Sequence, residues 1–378
     1  MKTWDLNYIN KLKKHIENKI YILHGTDKDK EKNLRQTLSS INYVIDSSKP
    51  VLKFCFPRKE SALECLSDDA FIFEKFGHLC NYLRILQDMH LKYEILYPNK
   101  KKIHFTDKQL LQITNRFYAK VGGFLSKKYQ TIAGRFYKTL SISEYNMFYE
   151  PLNQTLPIHN SNLSFISIYK NNGIEDVIAL IHEAGHSISA LYNINILDDD
   201  NRYAFAEIET MFLELLTFDY LETSEKYRIE SVKLRLHYLR DLLYSANTLC
   251  LKLDILNEFN PLERYGIPPI IYYLKNELNL NKSVINNVLY DSTSALFNYE
   301  ISFLIALELY YIYHEDKEKA LNMLEKIVKC KFDSSMEYEK YIISLGIIPG
   351  EHLEEYIIDC FAYTQKGISV YEKTIQHR

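Results

Sequence analysis

Residues 163–192 read LSFISIYKNNGIEDVIALIHEAGHSISALY, and the fold turns on this stretch. Its opening, Leu163 to Tyr169, alternates in part between apolar and polar side chains and is rich in β-branched residues, which predicts a strand. Asn171-Asn172-Gly173 is a turn signal. From there apolar residues recur at Ile174, Val177, Ile178, Ile181, Ile188 and Leu191, the spacing of a helix with a buried face. The prediction is one strand, one tight turn and one buried helix.

Outward from this unit the chain reads as helix almost everywhere. Beyond residue 203 helical patterns are broken only at Asn260-Pro261, Gly266–Pro269 and Gly346–Gly350. Residues 1–100 carry charged amphipathic segments such as Leu6–Leu23 and Glu60–Leu96, with a short strand expected over Pro50–Pro57. Pro98-Asn99-Lys100-Lys101-Lys102 reads as an exposed turn and a boundary. Thr106-Asp107 caps a helix running to about Tyr118, and Gly122-Gly123 breaks it. Residues 150–162 (EPLNQTLPIHNSN) hold two prolines and no helical period, so a linker or loop is expected there. The organisation predicted is an N-terminal helical lobe (1–100), a helical connector and linker (101–162) and a C-terminal lobe (163–378). The fold class is mainly α, two-lobed, with a small β-sheet beside the 174–192 helix.

Composition agrees. Gly (11) and Pro (9) make up about 5% of the 378 residues, against roughly 12% in average usage, which leaves room for long helices. A chain of this length, 47% hydrophobic and 25% charged, builds a core without disulfide or metal staples. Lys+Arg 46 against Asp+Glu 49 leaves a net charge of −3 and no basic stripe, which argues against a nucleic-acid partner. The 31 tyrosines therefore read as core and groove lining, the run Tyr310-Tyr311-Ile312-Tyr313 included. Six cysteines form no CxxC pair, and the polar start Met1-Lys2-Thr3-Trp4 lacks an apolar signal region, so the expectation is reduced thiols in the cytoplasm. No run is long and apolar enough for a transmembrane helix, so no membrane partner is expected. Gly122-Gly123 lacks a phosphate-loop frame. His78, His104, His159, His237 and His314 have no second His or Cys at helical spacing and read as structural or exposed.

The buried helix holds the chemistry. His182-Glu183-Ala184-Gly185-His186 is an HExxH pattern. Two histidines four residues apart share a helix face, so both imidazoles reach one metal ion, and Glu183 sits where it can take a proton from water on that metal. Zinc needs a third protein ligand and an open fourth position. Two histidines and a glutamate among apolar neighbours are costly unless a partner satisfies them. Glu207 lies 21 positions after His186, across the polar loop Asn193–Arg202, on a helix predicted to pack against the first. Glu209 and Glu214 on that helix are alternatives for the third ligand, with Glu214 the better supporting carboxylate. Without metal, His182 and His186 would be core histidines and Glu207 a surface acid.

The run SFISIYKNNGIEDVIALIHEAGHSISALY followed by FAEIETMFLELL resembles the core of the thimet oligopeptidase / oligoendopeptidase F zinc metallopeptidases. Ile301-Ser302-Phe303-Leu304 and DSSMEYEKYIISLGIIPGEHLEE (333–355) are similar to that family's C-terminal helices, so the resemblance spans about residues 163–365. It implies a zinc metalloendopeptidase that hydrolyses short unstructured peptides, with one Zn2+ held by His182, His186 and Glu207 and with Glu183 as general base. It also implies that the 163–169 strand is the edge to which an extended peptide adds.

Two departures qualify the match. The chain is short, mostly ahead of the motif, which leaves the roof of a deep substrate channel open to question. Where the family places a His and several Tyr as oxyanion donors, residues 286–299 contain no His. Tyr290 lies one residue off an expected position and is the first choice of hydroxyl donor, with Tyr299 second. Three other readings follow: a dedicated processing peptidase for one peptide such as a leader, a catalytically weak peptide-binding module, and a helical protein without metal. Sequence leaves the oligomeric state open.

Overall fold

The structure, a computed structural model, describes residues 5–24, 27–47, 62–95, 101–144, 153–158, 161–192, 203–259, 267–290 and 293–362. The strand expected over Pro50–Pro57, most of the Pro98–Lys102 turn and the loop Asn193–Arg202 lie outside these residues.

Helices α1 (Leu6–Leu23) and α2 (Lys28–Ser47) pack on each other, and α3 (Ala62–Phe76) and α4 (Cys80–Lys92) follow. The expected cap at Thr106 is a full capping box opening α5 (Asp107–Val121). The Thr106 hydroxyl accepts the Gln109 N–H at 3.2 Å, and the Gln109 side chain accepts the Thr106 N–H at 2.9 Å. Gly122, at φ +75°, ends that helix and starts α6 (Gly123–Ala133), and α7 (Phe136–Thr139) leads into the sheet.

The sheet has three strands, β1 (Leu140–Glu144), β2 (Gln154–Pro157) and β3 (Ser164–Lys170), in the order β1-β3-β2. β1 runs parallel to β3 and β2 antiparallel to it. Two expectations are corrected here. The stretch 150–162 contains a strand, β2, because Pro157 sits at its end, where a missing N–H costs no ladder bond to the neighbour. The 163–169 strand is central rather than an edge, since both of its flanks are paired, and β2 is an outer strand instead.

β3 feeds α8 (Glu175–Tyr192) through a turn in which Asn172 adopts φ +60° and Asp176 Oδ1 accepts the Asn171 N–H at 2.7 Å. After α8 come α9 (Ile208–Glu222), α10 (Arg228–Phe259), α11 (Ile267–Tyr272), α12 (Lys282–Tyr290) and α13 (Thr293–Glu315). α14 (Lys317–Lys329), α15 (Ser335–Ser344) and helical residues 353–362 complete the described chain.

α8 is enclosed by α9, β3, β2, α5, α6 and α14, and nearly all of its residues from Asp176 to Ala190 are buried. A helix apolar on every side is one packed on every side. One core joins residues from all three expected segments, among them Phe76, Phe117, Ile181 and Phe303. A second core packs Ile9, Ile16, Ile41 and Val44 of the α1–α2 pair against Leu156, Ile158, Leu163 and Phe165 on one face of the sheet. The other face, with Ile166 and Ile168, belongs to the core that holds α8.

Candidate metal centre

His182 and His186 lie one helical turn apart on α8, both buried, with ring centroids 4.8 Å apart and planes nearly perpendicular. Glu207 stands at the N-cap of α9 rather than within it, at φ −98° and ψ 0°. Its Oε2 lies 3.3 Å from His182 Nε2 and 3.2 Å from His186 Nε2. The structure therefore brings together the three residues that the sequence singled out, with one donor atom from each within 4.8 Å of the others.

Several contacts fix these donors. Glu214, two turns along α9, lies 2.8 Å from His182 Nδ1 through its Oε1, which leaves Nε2 directed at Glu207. The Thr210 hydroxyl donates to Glu207 Oε2 at 2.8 Å. On α13, Ser302 Oγ accepts the Glu207 N–H at 3.2 Å and lies 3.3 Å from the Ala204 carbonyl, pinning the backbone that carries Glu207. Gly185 lets α9 approach: a Cβ there would come within 3.0 Å of Leu213 and 3.1 Å of Thr210. The sequence pointed to Glu214 but not to the roles of Thr210 and Ser302, which depend on contacts between separate helices.

Charge in this site is balanced by attraction rather than by water. Burial disfavours a charged His182, yet hydrogen bonds and charge from Glu207 and Glu214 raise its pKa well above the usual imidazole range. Burial likewise opposes a charged Glu207, and the His186 and His182 imidazoles overcome it and hold the carboxyl well below its usual range. The same donor atoms could instead converge on a metal cation. A tetrahedral zinc with ligand bonds of about 2.0–2.1 Å sets its ligand atoms about 3.3–3.4 Å apart. The observed separations from Glu207, 3.2 and 3.3 Å, match that edge, and two imidazoles with one carboxylate are a zinc donor set. The residues fit the metal.

Glu183, 5% exposed, points toward β2, where Thr155 Oγ1 lies 2.8 Å from its Oε2. Tyr299 on α13 stacks over His182 at 6.4 Å between centroids. Although the residue is 37% exposed, desolvation beside the cluster and then the charges of Glu207, Glu214 and Glu183 raise its pKa above the usual phenol range, so its proton stays on. Tyr290 stands elsewhere: it ends α12, is 50% exposed, and among the described residues no contact ties it to the His–Glu cluster. Glu209 lies on another side of α9, close enough to Tyr118 and Tyr192 for its charge to raise both.

A second His–carboxylate group, Glu308, Glu351 and His352, has a different character. Both Glu308 oxygens are taken by His352, one by its backbone N–H at 3.0 Å and the other by its ring Nδ1, and Glu351 is exposed. This group ties the turn before residues 353–362 to α13.

No protein-family model and no curated protein sequence matches the chain. Solved structures match its fold. A candidate oligoendopeptidase F from Bacillus anthracis strain Ames superposes with a TM-score of 0.52 at 12% identity, over 92% of this chain and 65% of that one. A candidate peptidase from Chlamydophila abortus gives 0.51 at 15% identity, over 89% of this chain and 60% of that one. The chain thus has the fold of these peptidase structures and spans less than two thirds of either. Among the described residues no helix is long and apolar enough to cross a membrane.

Proposed function

We propose that the chain is a zinc-dependent endopeptidase of the cytoplasm that hydrolyses short, unstructured peptides. One observation carries the reading. Two imidazole nitrogens lie 3.3 and 3.2 Å from one carboxylate oxygen in a buried site, one residue away from a second carboxylate, Glu183.

In this reading His182 Nε2, His186 Nε2 and Glu207 Oε2 would hold the ion. A bound zinc would supply Lewis acidity for the scissile carbonyl and for the attacking water. Glu183 accepts the proton of that water and passes it to the leaving amine, a role typically worth about 10²–10⁴ in rate. Tyr299, rather than Tyr290, donates its hydroxyl proton to the developing oxyanion, because Tyr299 stacks over His182 and keeps its proton.

The peptide adds to β2. Ile158 N–H donates to Leu163 O at 2.8 Å, which makes 158/163, 156/165 and 154/167 the bonded pairs of this antiparallel ladder. The backbone groups of Thr155 and the carbonyl of Pro157 therefore point away from β3, as an incoming strand requires.

The test is zinc content together with digestion of a mixed peptide library by wild type and Glu183→Gln. One equivalent of zinc in both proteins, with cleavage only in the wild type, is the expected result. Zinc without cleavage in either would make the chain a peptide-binding module, and absence of zinc would overturn the reading.

A further inference from the structure

We propose that Thr155 is a positioning residue for this reaction: its hydroxyl holds the Glu183 carboxylate in place and ties it to the strand on which the peptide docks. The inference rests on the hydrolase reading and concerns a side chain that the reading leaves without a role.

The placement follows from strand alternation. Leu156 and Ile158 fall into the core under α1 and α2, while Thr155 pairs with Ile166 and shares its face, the one that covers α8. Thr155 is 7% exposed, and its Oγ1 lies 2.8 Å from Glu183 Oε2 and 2.7 Å from the Glu183 carbonyl oxygen. Bulk water does not compete at such a site, and a hydrogen bond to an ionised carboxylate is among the stronger kinds.

A hydroxyl suits this task because it has one proton to give and lone pairs to accept with. While Glu183 is a carboxylate, the hydroxyl donates to Oε2. Once Oε1 carries the proton taken from water, Oε2 is still an acceptor, so the same hydrogen bond persists and the proton on Oε1 stays free to pass to the leaving amine. Neither side chain has to move during the cycle. Without the anchor, the torsions of the glutamate are free to leave the productive rotamer, and misplacing a catalytic group by about 1 Å costs on the order of 100-fold.

The backbone of the same residue faces the incoming peptide. Pro157 has no N–H to offer, so at this edge Thr155 supplies both a donor and an acceptor. Docking and base orientation thus meet in one residue, through its main chain and its side chain respectively.

The experiment uses the full chain with Thr155→Val, which keeps the β-branch and loses the hydroxyl, and Thr155→Ser, which keeps the hydroxyl. Crystal structures locate Glu183, and steady-state kinetics on an internally quenched peptide give kcat and KM, with zinc content as the control. The expected result for Val is full zinc, a Glu183 carboxylate displaced from residue 155, and kcat lower by about 10- to 100-fold at nearly unchanged KM. Ser should restore both the position and the rate. Glu183 unmoved in the Val variant, or a Ser variant as impaired as Val, would overturn the proposal. If wild type cleaves no peptide, the hydrolase reading fails, and the position of Glu183 in the two variants still decides the role of Thr155. Should Val prevent folding, Thr155→Ala takes its place.

Discussion

Glu214 illustrates how a single side chain sets the presentation of another. Its contact with His182 Nδ1 at 2.8 Å selects the ring nitrogen that faces Glu207. Carboxylates behind ligating histidines typically contribute 10- to 100-fold in metal affinity. Glu214→Gln should therefore weaken zinc binding by about tenfold in a chelator competition, while the fold, read by circular dichroism, is unchanged. The two tyrosines separate in the same way: Tyr299→Phe should lower kcat at least tenfold, whereas Tyr290→Phe, at an exposed helix end, should not. Glu300, 1% exposed, is a residue whose cost can be read from pH. Burial pushes its carboxyl up to about 8, only partly offset by the Ser245 hydroxyl, and its Oε2 has no partner among the described residues. Unfolded, it ionises near 4.5, so between about 4.5 and 8 the folded chain holds the extra proton and stability falls as pH rises. Glu300→Gln should then gain roughly 2–4 kcal/mol at pH 7 and little at pH 4.5, measured by urea unfolding at both. An equal gain at the two pH values would rule out this origin.

Between elements, the α8–α9 contact controls the centre because each helix carries part of it. Gly185 is a point of close approach, with Leu213 and Thr210 at 3.0 and 3.1 Å from where a Cβ would stand. Alanine there gains helix propensity worth about 1 kcal/mol and spends much of it on the tight contact. Valine adds volume with no space to receive it, a change that costs about 1–3 kcal/mol in packed cores. Thermal melts should rank Gly185→Val clearly below wild type and Gly185→Ala near it. Since Thr210 also holds Glu207, the Val variant should bind zinc more weakly as well. The helix α8 itself was legible from spacing and burial pattern alone. The strand β2 was not, because Pro151 precedes its four residues, Pro157 is the last of them, and its partner is visible only once β3 is placed.

Across the whole molecule, N-terminal and C-terminal segments share a core and a buried ion pair. Lys252 of α10, 0% exposed, donates to Asp69 of α3, 3% exposed, at 2.8 Å. Burying the pair is not in itself a gain, but removing one member takes its 2.8 Å partner from the other buried charge, a loss that typically costs about 3–5 kcal/mol. Lys252→Met should lower unfolding stability by that order in urea titrations, and adding Asp69→Leu should recover much of the loss. A double variant no better than the single one would show that the broken pairing is not what destabilises it.

The sequence by itself determined what short-range chemistry controls. Few glycines and prolines made helices, the alternation before Asn171-Asn172-Gly173 made β3, and the i, i+4 spacing put His182 and His186 on one face. Tertiary structure decided what depends on distant segments meeting. Of Glu207, Glu209 and Glu214, it is Glu207 that reaches both imidazoles, because it sits just outside α9, its N–H held by Ser302 from 95 residues away. β3 became central because β1 and β2 flank it, and Tyr299 rather than Tyr290 faces the histidines because α13 crosses α9. Periodicity reports which side of an element is buried, and only the packing of one element on another reports what that side meets.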